Sequence, residues 1–191
     1  MQILSYPEKF TAPELLSQIQ GMEQQAWPNQ VDGCPAVPVH DPQLRPVLVM
    51  LVDDGTVLAS LAILSKEIVH AGQEYIVGGL RSVVTRAEMR GKGYGRRLVA
   101  TARMMMIDRN FDIGLFTCDV PLQKFYESAG WTTLPGTVLI GGVLDDPFPS
   151  DQPGFEKVTM ADFFSTAGQL GRASFYNARI GLYPGQIDKL W

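Results

Sequence analysis

Between Met89 and Leu98 the chain reads Met-Arg-Gly-Lys-Gly-Tyr-Gly-Arg-Arg-Leu, which sets Gly91, Gly93 and Gly95 among Arg90, Lys92, Arg96 and Arg97 just ahead of a helix-like stretch. Glycine lets a backbone approach a ligand closely. The first N–H groups of a helix have no partner within the helix and sit at the positive end of its dipole. With basic side chains around them, such groups hold a phosphate or diphosphate. The spacing excludes two familiar nucleotide sites. A P-loop needs Lys followed by Ser or Thr, and Lys92 is followed by Gly93. A dinucleotide fingerprint needs its third glycine where Arg96 stands. A plain flexible turn with solvated basic side chains is the competing reading of the loop by itself.

Charge along the chain supports an anion site. The net charge is -4, yet Arg81, Arg86, Arg90, Lys92, Arg96, Arg97 and Arg103 face only Glu88 in their stretch. Acidic residues gather elsewhere, before Asp54 (Asp32 among them) and again from Asp145 to Asp162. If they flank a cleft, they favour a cationic partner. One local basic strip is not the broad basic face of a nucleic-acid binder, so no nucleic acid is expected. Cys34 and Cys118 lie far apart without partners at ligand spacing, which argues against a disulfide framework or a metal site and suits a reducing cytoplasm. His40 and His70 are the only histidines, and a solvent-exposed role is expected for each. No leader pattern and no membrane-spanning run are read in the sequence, so a soluble, unprocessed protein is expected.

The elements that would position the loop follow from periodicity. With 191 residues, 46% of them hydrophobic, the chain can bury one sizeable core. Leu15, Leu16, Ile19 and Met22 mark a short amphipathic helix, and Thr11 with Glu14 has capping-box spacing. After a Pro-rich loop from Cys34 to Pro46, three apolar runs at 47–52, 57–70 and 75–85, separated by turn signals, read as an antiparallel meander. Past the glycines, Leu98, Ala102, Met105 and Met106 share one helical face and read as core. A strand at 112–118 follows, then a short helix at 119–130 with Asp119 as N-cap, Pro121 in the first turn and Gly130 as stop. Late strands are read at 131–134 and 136–142, and the stretch from Leu144 reads weakly throughout.

Arg90-Gly91-Lys92-Gly93-Tyr94-Gly95 resembles the acyl-CoA pyrophosphate loop of the GNAT superfamily of N-acetyltransferases: Arg or Gln, two residues, Gly, one residue, Gly or Ala. The Ser-Val-Val-Thr before it stands where that family keeps its fourth strand, and Phe-Tyr-Glu-Ser-Ala-Gly-Trp resembles its second signature. The resemblance spans roughly residues 47–139. It implies an α/β fold with a mixed, mostly antiparallel sheet splayed between strands 4 and 5 and flanked by helices. It implies one such domain over 1–191, with a core at about 47–140 and a variable tail at 144–191. Acetyl-CoA would lie in the splay, its pantetheine paired with the backbone of Val83, Val84 and Thr85, its diphosphate held by Arg90, Gly91, Lys92, Gly93, Tyr94, Gly95 and Arg96, with coenzyme A as product. The partner would be a small-molecule amine, with no metal and no membrane, and many relatives dimerise, which leaves a homodimer open.

By the same resemblance Tyr126 would protonate the departing thiolate, its ordinary pKa of about 10 lying close to that of an alkyl thiol. Read from its neighbours alone, Tyr126 shares an apolar face with Leu122, Phe125 and Ala129 and could equally be core. Within the superfamily the chain most resembles the aminoglycoside 2'-N-acetyltransferases, and so an antibiotic-resistance enzyme, through its hairpin at 61–84, the Tyr126 segment and an ending with Asp188 then Trp191. In those enzymes a glutamate on the fourth strand is the base and a terminal tryptophan helps hold the cationic sugar. Arg81 stands at the glutamate's position here. Either it points away or pairs with Glu74 or Asp119, or it binds an acid on the substrate, as the carboxy-amidine of kasugamycin would offer. Asp119, Asp188 and Trp191 join Arg81 as candidate substrate residues. A polyamine, a peptide N-terminus or another small amine is the alternative acceptor, and a non-catalytic acyl-CoA-binding module the alternative class.

Overall fold

The computed structural model describes residues 1–28 and 39–191, so the expectations for Cys34 and Asp32 lie outside the described residues. The meander is present. An edge strand that the sequence reading did not mark, β1 (Gln2–Pro7), runs antiparallel to β2 (Val47–Asp53), which pairs with β3 (Thr56–His70), which pairs with β4 (Gln73–Thr85). Burial in β3 is unbroken from Val57 to Ser65, which requires cover on both faces. Two helices pack on β3 and β4: α1 (Pro13–Ala26) and α2 (Tyr94–Asp108). The second buries Leu98, Val99, Ala102 and Met106, with Met105 partly buried, so the methionine-rich face is core as expected.

The capping box at α1 does not form. Ala12 is the N-cap, and the Thr11 hydroxyl bonds Pro7 O in the preceding 3₁₀ turn instead.

The splay has a visible cause on each side. Strand β5 (Ile113–Asp119) pairs in parallel with β4 only at Val77 with Ile113 and Gly78 with Gly114. Farther along β4, Arg81 faces Ala62 and Val84 faces Ser60, so Ser82 and Val83 stand opposite Leu61 alone. Ser82 takes a left-handed φ of 51° there. A bulge of this kind bends and twists its strand, and here it carries Val83–Thr85 away from β5.

The chain then forms α3 (Gln123–Glu127), β6 (Thr132–Thr133), β7 (Val138–Val143), β8 (Asp146–Pro149), β9 (Lys157–Phe163), α4 (Thr166–Gly171) and β10 (Arg179–Gly181). The main sheet has the order β1-β2-β3-β4-β5-β9-β6, and β10-β7-β8 form a second sheet. The weakly read stretch past Leu144 therefore supplies β9, antiparallel to β5 along its whole length. Asp119 does not cap a helix with its side chain, which is held by Lys157 instead. Gly130, at φ 95°, stops the helical turn as expected.

Past β10 the chain returns to the opening between β4 and β5. Gly142 N–H donates to Lys189 O at 2.7 Å, and the Trp191 indole lies flat against Gly79, where a Cβ would fall 1.8 Å from the ring. Only glycine leaves that space. Gly79→Ala is expected to displace the indole and cost about 1–3 kcal/mol, the usual range for overpacking, read as a lowered urea midpoint with an unchanged slope.

Candidate active site

Strand β4, the start of α2 and the turn of α3 enclose a groove of about 470 Å³. Gly93 is the N-cap of α2 at φ 80°, and Gly91 has φ 77°, so the turn uses two left-handed positions. The side chain of Gly93 is absent where it would cap, which leaves the first-turn N–H groups open to the groove. Of the residues expected to meet the cofactor, Val83, Val84, Thr85, Arg90, Gly91, Gly93, Tyr94, Gly95 and Arg96 line this groove. Lys92 does not; it is exposed and its ammonium contacts the Met89 sulfur.

A second chamber of about 670 Å³ adjoins it. Trp27, Val83, Leu122 and Tyr126 are shared walls, so the two spaces meet beside the phenol. Tyr126 is buried against Phe116 and Phe125, with ring centroids 5.0 Å away in each case. Burial, and then the neighbouring Cys118 and Asp119, push its hydroxyl well above the usual phenol range. It stays protonated throughout the physiological range. Cys118, also on the chamber wall, is pushed up to about 11, chiefly by burial.

Arg81, Asp119 and Trp191 line this second chamber, and Asp188 lies beneath it, 1% exposed. The expected partners of Arg81 are corrected by the structure. Its Nε forms a 2.7 Å ion pair with Asp188 Oδ1, off the line of a hydrogen bond, and its Nη1 donates to Leu190 O at 2.7 Å. Asp119 is taken by Lys157, and Glu74 is exposed at the far end of β4.

The surface role expected for His40 is also overturned. The ring is buried, with Nδ1 2.9 Å from Asp188 Oδ1, while Asp188 Oδ2 accepts the Asp41 N–H at 2.8 Å. His70 is half-buried, bonded to Ser174 O and packed on Phe175. Burial acts to raise the Asp188 carboxyl, but the His40 bond and charge, the Asp41 N–H and Arg81 together hold it below the ordinary value. Glu23, on α1, is a buried acid that sequence reading did not single out. Burial raises its carboxyl, against the lowering influence of His40, Ser82 and Arg81, with Glu8 adding to the rise. A lone acid on a helix carries no local signal of this, and neither does the strand bulge at Ser82. Trp27, just past the end of α1, was likewise invisible as a wall of both chambers.

A parallel pair of strands parted beside an open helix start is the framework of an acyl-transferring enzyme. Residues 12–131 match the Acetyltransferase (GNAT) family, and the chain belongs to it. It is an N-acetyltransferase whose acyl donor is acetyl-CoA. Among solved structures, it is similar to an aminoglycoside 6'-N-acetyltransferase complexed with coenzyme A, with a TM-score of 0.60 and 15% identity over 86% of this chain and 98% of that one. It is similar to the aminoglycoside 6'-N-acetyltransferase from Enterococcus faecium, with a TM-score of 0.58 and 14% identity over 86% of this chain and 98% of that one. An acyl-CoA N-acyltransferase from Pseudomonas aeruginosa aligns with a TM-score of 0.53 and 20% identity over 84% of this chain and 99% of that one. These likenesses show the fold. No curated protein matches the chain.

Asp188→Asn leaves Arg81 and His40 without their buried anion. Because Arg81 is one-third exposed, the expected loss is about 2–4 kcal/mol, the lower part of the range for breaking a buried pair. The native carboxyl is depressed, so its stabilisation is complete above the unfolded value of about 4 and disappears as pH falls through the lower native value. Urea titrations at several pH values are expected to show a shallower acid decline for the variant than for the wild type.

Proposed function

We propose that the chain acetylates an amine on a molecule that also carries an acid group, an amino sugar of the aminoglycoside type such as kasugamycin being the favoured acceptor. The observation that carries this reading is the charge of the second chamber. Arg81, Lys157 and Lys189 line it against Asp119 alone, and that carboxylate is already held by Lys157. A polycation would enter against a lining that carries more positive than negative side chains; an amine with an acid group would meet a partner there. Acetylation at a 2'-amine rests on the sequence resemblance, whereas the aminoglycoside enzymes named above act at the 6' position.

In this reading the diphosphate rests on the N–H groups opening α2, with Arg90 and Arg96 beside it, and the pantetheine pairs with the free edge of Val83–Thr85. The thioester then lies where the two chambers meet, the amine attacks its carbonyl carbon directly, and Tyr126 gives its proton to the leaving sulfur. Trp191 forms part of the acceptor floor. The raised Tyr126 value does not spoil the match with the thiol. The thiolate departs into the same apolar surroundings, which raise its own proton affinity in the same direction.

Free-thiol release, measured with kasugamycin, a polycationic 2'-amino aminoglycoside and spermidine, tests the acceptor. A kcat/KM for kasugamycin at least roughly tenfold higher, about 1.4 kcal/mol of discrimination, is expected; preference for either polycation rejects the acid-bearing acceptor. Tyr126→Phe is expected to lower kcat by about 10²- to 10⁴-fold with the coenzyme A Kd unchanged, since the ring and its packing remain.

A further inference from the structure

Four residues of the second chamber lie beyond the segment that matches the family: Phe148, Phe155, Lys157 and Lys189. None of them lines the groove at the start of α2, so they form the part of the chamber away from it. The two rings meet edge to face with centroids 4.9 Å apart, and each carries an ammonium. Lys157 Nζ is 4.4 Å from the Phe155 centroid and Lys189 Nζ is 5.6 Å from that of Phe148. Both distances fall within the range of a cation–π contact.

The cations of this lining differ in whether an anion answers them. Lys157 is paired with Asp119, and Arg81 with Asp188. Among the described residues no carboxylate forms an ion pair with Lys189. Its side chain is exposed, yet its backbone is held. Gly141 on β7 lies opposite Phe148 on β8, and a Cβ on Gly141 would fall 1.9 Å from Lys189 O. The next glycine, Gly142, donates its N–H to that same carbonyl at 2.7 Å. Missing side chains on β7 thus let the last residues dock flush against it, which places the lysine stem beside the phenyl ring.

We infer that Lys189 binds the acid group of the acceptor, its ammonium donating to the acid from its seat over Phe148. This rests on the acid-bearing acceptor proposed above and names the residue that selects it. The walls common to both spaces, where the thioester meets the amine, are Trp27, Val83, Leu122 and Tyr126. Lys189 is not among them, so the acid belongs at the end of the acceptor remote from the reacting amine. A carboxylate arriving there completes the one ion pair that the chamber leaves open among its described residues, and an ammonium arriving there meets like charge.

Thiol release with kasugamycin and with its carboxamide, which keeps the amine and replaces the acid by a neutral amide, isolates this contact. Wild type is expected to favour the acid about five- to tenfold in kcat/KM at about 0.05 M salt, the size of a charge-assisted contact discounted for exposure. Most of that preference should vanish at about 0.5 M salt, where screening is strong. Lys189→Gln is expected to raise KM for kasugamycin about five- to tenfold at low salt, with kcat, turnover of the carboxamide and coenzyme A affinity unchanged. Lys189→Arg keeps the charge and should keep the preference. An acid-to-amide ratio unchanged in Lys189→Gln, or an equal fall on both substrates, overturns the role of Lys189 and leaves the acid-bearing acceptor standing. Wild type that treats the two alike, favours the carboxamide or turns over neither overturns both.

Discussion

Two parallel strands that pair at one end and part at the other leave backbone groups facing an opening, and those groups must be satisfied. On β5 they are the Leu115 C=O and the Thr117 N–H, since the other edge of that strand is occupied by β9. Trp191 satisfies both: its indole N–H donates to Leu115 O at 2.7 Å, and its own carbonyl accepts the Thr117 N–H at 2.9 Å and the Thr117 hydroxyl at 3.1 Å. Each buried group left unpaired would cost about 1–3 kcal/mol. The wedge keeps the strands apart where a ligand must enter and closes them where water would otherwise fill the gap. It also lines the second chamber, so the shape of that chamber follows from how the sheet is held open.

The segment carrying Trp191 is itself tied down by charge. Asp188 binds His40 and Arg81 at once, joining the loop before β2, the middle of β4 and the last residues of the chain. A buried ion pair is weak evidence of net stability because both partners lose water. Its clearer effect is geometric. With Nε and Nη1 engaged below, the guanidinium stays in the chamber wall rather than swinging toward solvent. A cation at this place therefore has two connected consequences: it anchors the tail and adds positive charge to the wall of the second chamber.

Local patterns made half of this visible in the sequence. The meander follows from apolar runs cut by turn signals, and the groove at the start of α2 follows from glycines at a helix start, because both depend on neighbours a few residues apart. Val83, Thr85, Gly93 and Tyr126 line one groove. The long-range contacts were not legible. His40 lies 148 residues from Asp188 and Arg81 109 from Leu190, and nothing local marks such pairs. A buried histidine carries the same letter as an exposed one. Strand β9 was obscured because it lies in a Pro- and Asp-rich stretch and is short, yet it pairs along the full length of β5. The bulge at Ser82 leaves no trace in composition at all, although it shifts the register of β4 just where that strand parts from β5.

Burial raises the proton affinity of Tyr126, and that direction bears on how the reaction can proceed. In low dielectric, creating a net charge is far more costly than moving one between nearby sites. Were the phenol to ionise alone, the chamber would gain a negative charge. Under the proposed role it loses its proton only as the leaving sulfur takes one, so the negative charge passes from the thiolate to the phenolate while the total is conserved. A phenol placed this way resists ionising by itself and gives up its proton when a thiolate forms beside it.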